Sequence, residues 1–363
     1  MLGFCPNGEM KEFKSNMPVN PRGRFQFKSF FVSVSALCLV QYFAVAATHH
    51  ELYQEYPEPN EQQQFAQFAQ EIQDIQKTLA NGMSIERAFH SKAHGCLNGT
   101  FTVLTSIPED AKFGPFIPGA SYPVTGRFSN ASGSQKSDRA RDMRGLALKV
   151  SQVGADKTEV QDFLMTNGPV HFAKDAAGMM AFAKASAQGG LAMGKYFLSN
   201  LKGAMVLLRD TSRKVPSMAT ESYWSRVPFK IGPKAMKYNV KPCQDEKPLM
   251  PKHPSDTYLS DDLRDRASKG PICFEFRVQF QLDADAQPIE DASVEWKESD
   301  TPSLPIARVV FPAQTFDSTE QMQACEEMSF SPWHSVNELR PLGNMNRARK
   351  EVYPASASFR AAK

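Results

Sequence analysis

Phe65, Phe68, Ile72, Ile75 and Leu79 recur at spacings of three and four. That is the period of an amphipathic helix, and Asn81-Gly82 supplies its stop. Strand-like runs follow, separated by turn residues: 99–105 (GTFTVLT), 121–129 (SYPVTGRFS), 144–153 (RGLALKVSQV) and 160–166 (VQDFLMT). Residues 173–209 change character, with Ala, Met and Leu dominant and Gly189-Gly190 in the middle, which predicts two helices. Strands return at 235–240, 272–285 and 306–313. The last element is a helix from about Gly343 into the C-terminus, interrupted by Pro354. Strands, then helices, then strands give an α+β class with a sheet large enough to close.

Upstream, residues 29–47 carry no charge and follow Lys11, Lys14, Arg22, Arg24 and Lys28. A basic region, an apolar stretch and Ala44-Val45-Ala46 at its end read as an export signal; the alternative is an uncleaved membrane anchor. The expected site of the protein is therefore exported, periplasmic or secreted, or else N-terminally anchored. Residues 48–60 are polar with Pro57 and Pro59, a linker, and 61–363 form the main domain.

Composition narrows the field further. At 363 residues and 41% hydrophobic content, the chain can bury one large core. A net charge of +3 without a Lys/Arg run argues against nucleic acid as a partner. Of six cysteines, Cys5 and Cys38 would leave with the leader. Cys96, Cys243, Cys273 and Cys325 allow three pairings in an oxidising compartment, or stand as buried thiols.

His90 and His94 lie four apart, the spacing of two zinc ligands on one helix face. Ser91 stands where a metalloprotease helix carries glutamate, however, and Gly95 with a strand soon after leaves little room for a helix. His94 is expected to be a structural histidine.

A different pattern surrounds His90. Arg87-Ala88-Phe89-His90-Ser91-Lys92 resembles the R-x-x-H-x-K stretch of haem catalases. In the same order, Gly126-Arg127-Phe128-Ser129 resembles the V-R-F-S strand, and Arg141-Asp142-Met143-Arg144-Gly145-Leu146-Ala147-Leu148-Lys149 resembles R-D-x-R-G-F-A-x-K. Asn167-Gly168-Pro169-Val170-His171-Phe172-Ala173-Lys174-Asp175 resembles N-x-P-x-F-F-x-R-D. Arg349-Lys350-Glu351-Val352-Tyr353-Pro354, with Arg360, resembles R-x-x-x-Y-P-x-x-x-x-x-R. The likeness spans residues 87–360 and is nearer to the short catalase-related peroxidases than to full-length catalases.

What this resemblance implies is a catalase-like antiparallel β-barrel with helical segments, holding haem b. Tyr353 would ligate the iron. A phenol, with a pKa of about 10, must be held ionised to do so, and Arg349 one helical turn away would favour the phenolate. Arg360, seven residues on and about 10 Å along a helix, would reach a propionate, as would Arg87 and Arg127. Phe172 would stack near the porphyrin, with plain core packing as the alternative. On the other face His90 would shuttle the peroxide proton, with Asn167 as hydrogen-bonding partner and Ser129 orienting the ring.

Several departures from the family pattern matter. Phe89 stands where catalases usually carry valine. His171 replaces an aromatic residue. The segment after His90 differs from the small-residue run of catalases. The sequence stops three residues after Arg360, so the haem side is expected to be less covered, which favours an organic reductant and peroxidase activity beside peroxide dismutation. The expected function is haem-dependent breakdown of hydrogen peroxide. The rivals are conversion of fatty-acid hydroperoxides in the same fold and a non-catalytic haem carrier or sensor. A further copy of the chain is a candidate partner.

Overall fold

The computed structural model describes residues 50–362, so the leader expected at 1–47 lies outside the described residues. The first helix, α1 (Glu61–Ala80), buries Phe65, Phe68, Ile72 and Ile75 and stops at Asn81, whose left-handed backbone (φ 47°) ends the ladder. Four strands follow: β1 (Ala93–Val103), β2 (Ser121–Asn130), β3 (Arg144–Val153) and β4 (Glu159–Thr166). Helices α2 (Ala176–Gln188), α3 (Gly190–Ser199) and α4 (Leu201–Ser212) come next, then β5 (Tyr223–Trp224), β6 (Phe229–Ile231) and β7 (Lys234–Pro242). The chain ends through α5 (Tyr258–Lys269), β8 (Ile272–Phe280), β9 (Leu304–Phe311), α6 (Thr319–Glu327) and α7 (Asn344–Ala361).

All strand pairings are antiparallel, in the order β5-β4-β3-β2-β1-β9-β8-β7-β6. Tyr223 and Trp224 of β5 also pair with Val240 and Asn239 of β7. That pairing closes eight strands into a ring, with β6 added outside it, and the expected α+β barrel is thereby realised. Alternation decides what fills the ring. Phe128, Leu146, Leu148, Phe163 and Met165 point inward to join Phe101, Phe274, Phe276 and Tyr238, all buried. Phe163 and Phe276 meet at 4.7 Å between ring centroids.

Three elements depart from the pattern read in the sequence. The 173–209 region folds as three helices, because Asn200 starts a new one: its Oδ1 accepts the Gly203 amide at 3.1 Å. The run at 272–285 ends at Phe280, where Asp283 accepts the amides of Asp285 and Ala286 in a turn. Pro354 does not interrupt α7. That helix is held on both sides of the proline. Gln73 and Gln76 of α1 donate to the carbonyls of Ala355 and Ser356. Arg347 ion-pairs with Glu55, Glu61 and Glu290. Glu55 lies within the stretch read as a linker. Residues 50–60, though irregular, are thus fastened to the body.

Two disulfides join the four cysteines of the described residues: Cys96 to Cys325, linking β1 to α6, and Cys243 to Cys273.

Candidate active site

The outer face of β2–β4 carries Arg127, Ser129, Gly145, Ala147, Leu164 and Thr166, the alternate set to the barrel-filling residues. Helices α1, α2 and α7 stand over this face. A cavity of about 650 Å³ lies between them, within the range of cofactor sites.

One row of the sheet organises its chemistry. Ser129, Gly145 and Thr166 are directly paired across β2, β3 and β4. His90, in the loop before β1, lays its imidazole on Gly145: a methyl group added there would sit 2.6 Å from the ring. Ser129 Oγ bonds His90 Nδ1 at 3.0 Å. His90 itself has a left-handed backbone (φ 58°), a conformation uncommon outside glycine and often found where function fixes a side chain. Its amide donates to the Ala131 carbonyl at 3.0 Å, which holds that conformation. Burial, reinforced by the charge of Arg127, pushes the His90 pKa down to about 3, so the ring is neutral near neutral pH.

Thr166 flanks this row on the side away from Ser129. Its Oγ1 is buried in the cavity wall and has no hydrogen-bond partner. Asn167, the expected partner of His90, is placed otherwise. It follows the end of β4 and is fully buried, but its Oδ1 accepts the Arg144 amide at 2.8 Å and its Nδ2 donates to Glu221 at 3.0 Å. It does not line the cavity, because one residue of displacement along a strand turns a side chain to the other face.

The facing wall comes from α7. Met345, Ala348, Arg349, Val352, Tyr353, Ser356, Ala357 and Arg360 form one helical stripe on the cavity. The expected trio Arg349, Tyr353 and Arg360 thus shares a face, and the Arg349 guanidinium lies 6.0 Å from the Tyr353 ring centroid. Arg87 and Arg127 line the same cavity. Arg87 donates to the carbonyls of Glu326 and Met328 at 2.8 and 2.7 Å and ion-pairs with the Glu326 carboxylate. Arg127 reaches that carboxylate at 3.2 Å. Glu326 follows Cys325, so the disulfide to β1 anchors it.

Charge here is unbalanced. Arg87, Arg127, Arg349 and Arg360 all line the cavity; Glu326 is the carboxylate that answers Arg87 and Arg127. Burial and the neighbouring Arg87 lower the Arg127 pKa to about 10, and Arg127 Nε is buried without a partner. An anionic occupant would satisfy that orphan donor. The apolar lining and the arginines fit a group with an apolar body and anionic substituents, as haem has. Phe172 is buried in the lining, 4.6 Å from the rings of both His171 and Phe182. His171, which also lines the cavity, has its pKa held well below the usual value by burial and by Arg226.

His94 takes no part. Inside β1 its ring is bonded to Ser260 Oγ at 2.8 Å and Asn130 Oδ1 at 2.9 Å, a structural role, and the two histidines share no helix face. Among the described residues no group of three His, Cys, Asp or Glu side chains is placed to hold a metal. Sequence reasoning passed over Glu326, Gly145 and Thr166. A glycine inside a strand signals close approach, and strand phase puts Thr166 with Leu164 on one face, but nothing in the sequence marks Glu326.

Comparison with known proteins agrees with this geometry. Residues 65–190 match the model of the family described as catalase. The "catalase-related peroxidase" of Mycolicibacterium paratuberculosis (strain ATCC BAA-968 / K-10) is 28% identical over 294 residues, covering 76% of this chain and 88% of that protein. Among solved structures, a fungal catalase aligns with a TM-score of 0.64 at 19% identity, over 78% of this chain and 61% of that one. Catalase A from Saccharomyces cerevisiae aligns at 0.62 and 18%, over 77% and 62% of the two chains. The chain thus spans about three-fifths of those solved catalases. In its barrel, and over residues 65–190 in its sequence, the chain is thus similar to catalases.

Proposed function

We propose that this protein is a haem-dependent enzyme that breaks down hydrogen peroxide, acting as a catalase, a peroxidase or both. The observation that carries the reading is the neutral imidazole of His90, clamped between Ser129 and Gly145 on one wall of a cavity whose other wall presents Tyr353 and the arginines. Haem would be held by the Tyr353 phenolate and by Arg87, Arg127 and Arg360 at its carboxylates, with Phe172 against its ring, and would supply the redox iron that takes the oxidising equivalents of peroxide.

The chain's own residues handle the proton. With the ring proton on Nδ1 and donated to Ser129, His90 Nε2 carries the lone pair that accepts a proton from one peroxide oxygen. It then returns that proton to the other oxygen as the O–O bond breaks. Burial keeps the ring neutral at rest, so Nε2 has its lone pair free, and the left-handed backbone fixes its direction. Thr166, in place of Asn167, offers the free hydroxyl beside it. Arg349 stands beside Tyr353 on the same helical face, 6.0 Å from its ring centroid.

A second reading is favoured by the lining. Phe68, Ile72, Met179, Met180, Met193 and Leu207 make a broad apolar wall, suited to a fatty-acid hydroperoxide. We also infer export, supported by the two disulfides, since such bonds persist in oxidising compartments.

The deciding experiment is an absorption spectrum of haem-supplied protein, followed through peroxide addition. A high-spin Soret band with phenolate charge-transfer features, and oxygen release, are expected. Oxidation of a phenolic donor and turnover of linoleate hydroperoxide then rank the three activities. Tyr353→Phe should alter the spectrum; an unchanged one would place the ligand elsewhere. Protein that takes up no haem would end the reading.

A further inference from the structure

The helices that wall the cavity on one side, α3 and α4, are amphipathic in an unusual sense. Their inward residues are those of an ordinary packed helix: Tyr196 on α3, and Gly203, Leu207 and Asp210 on α4. Their outward face is also apolar. Leu191 and Leu198 are 77% and 78% exposed on α3, and Leu201, Met205 and Leu208 are 64%, 66% and 57% exposed on α4. Spacings of seven on α3, and of four and three on α4, put each set in one stripe. Solvation disfavours such a face, and folding does not use it. Contiguous exposed apolar surface of this kind marks a docking site.

The charges bordering the stripes are of one sign. Lys195, Lys202 and Arg209 are exposed beside them. The lone carboxylate of the two helices, Asp210, is buried against Arg226 and Arg209. Lys195 and Lys202 engage no carboxylate among the described residues. We propose that the outer face of α3 and α4 docks on an anionic lipid bilayer. Leucine and methionine would enter the headgroup boundary, and the lysines and Arg209 would meet lipid phosphates, the pattern of helices that lie in a membrane interface. At 10 and 12 residues, α3 and α4 are too short to cross a bilayer, so this face would lie along its surface.

A second copy of the chain fits the face less well. A two-fold contact would set Lys195, Lys202 and Arg209 against their own counterparts with no exposed carboxylate on the face to answer them. The inner sides of the same helices, through Met193, Leu207 and Thr211, line the cavity. Docking therefore places the cavity wall against lipid. If the peroxide reading above holds, the substrate class this favours is the membrane-derived acyl hydroperoxide; the docking itself does not rest on that reading.

The test uses the full chain with vesicles of phosphatidylglycerol and phosphatidylcholine, and with vesicles of phosphatidylcholine alone. Sedimentation reads partitioning and hydrogen exchange reads which amides become protected. We expect binding to the anionic vesicles, weakened by salt, with protection in residues 190–212. The variant Leu198→Gln/Leu201→Gln/Leu208→Gln should keep its melting temperature and lose binding by roughly tenfold per leucine. Equal partitioning of the variant and the parent, or protection elsewhere only, would overturn the proposal. So would self-association without vesicle binding that the triple substitution abolishes, since the face would then be a self-interface. Peroxide turnover is not a readout, so failure here leaves the enzymatic reading standing, and the reverse.

Discussion

Gly145 offers the sharpest test of the site. A methyl group in its place would sit 2.6 Å from both Nδ1 and Cε1 of His90 and 3.0 Å from Ser129 Oγ. Ordinary carbon contacts begin near 3.5 Å, so the imidazole must retreat by about 1 Å. Such a shift of a catalytic group costs on the order of 100-fold in rate, and overpacking costs about 1–3 kcal/mol of stability. A control separates the two effects. A methyl group at Gly126, on the barrel-filling face of β2, would meet the Phe311 ring at 2.4 Å, which strains the core but leaves His90 alone. We expect Gly145→Ala and Gly126→Ala to lose similar stability by thermal denaturation, while only Gly145→Ala loses peroxide turnover per bound haem. If Gly145→Ala turned over within a few-fold of the parent, or if both variants lost activity alike, the placement of His90 as the working base would be wrong.

Other expectations follow from the same geometry. Thr166→Val removes a hydroxyl that bonds nothing in the fold, so it should leave the melting temperature unchanged and lower turnover; Asn167→Ala should cost about 1–3 kcal/mol of stability through its two lost hydrogen bonds, and a reversal of that pattern in calorimetry and rate assays would return the role to Asn167. Arg127→Met should speed haem dissociation by about 10–100-fold, the worth of one charge-assisted hydrogen bond, measured by transfer to apomyoglobin; an unchanged rate would remove Arg127 from the carboxylate site. Stability should also fall as pH drops. His90 and His94 have folded pKa values of about 3 and 4, below the unfolded value near 6.5. The unfolded chain therefore binds more protons between these limits, and each histidine costs about 2–3 kcal/mol by pH 4.5. Calorimetry at pH 7, 5.5 and 4.5 should show the melting temperature falling below pH 6.5, and a flat profile would mean that these rings are not buried neutral.

Much of this site was legible because helical and strand periods are. The stripe of Arg349, Tyr353 and Arg360 follows from turns of α7, and the candidates His90 and Ser129 come from ordered motifs, one in the loop before β1 and one in β2. The rest depends on tertiary context. Asn167 follows the last residue of β4, and alternation along the chain sets its side chain away from the face that Thr166 shares with the cavity. Pro354 breaks isolated helices, but here α1 and the Arg347 network hold α7 on either side of it. Glu326 answers Arg87 and Arg127 across 239 and 199 residues of sequence, a pairing that only the folded chain brings about. The short strands β5 and β6, and the charged helix α5, carry too few apolar residues for periodicity to register.

The bond between Cys96 and Cys325 bears on the arginine cluster as well as on the barrel. Glu326, the carboxylate shared by Arg87 and Arg127, is delivered by a helix that this covalent link ties to the barrel. Without that bond α6 would be held by noncovalent contacts alone, among them the ion pairs of Glu326 and the bonds of Arg87 to the Glu326 and Met328 carbonyls. The bond that ties α6 to the barrel is thus also what fixes the shared counter-ion beside Arg87 and Arg127.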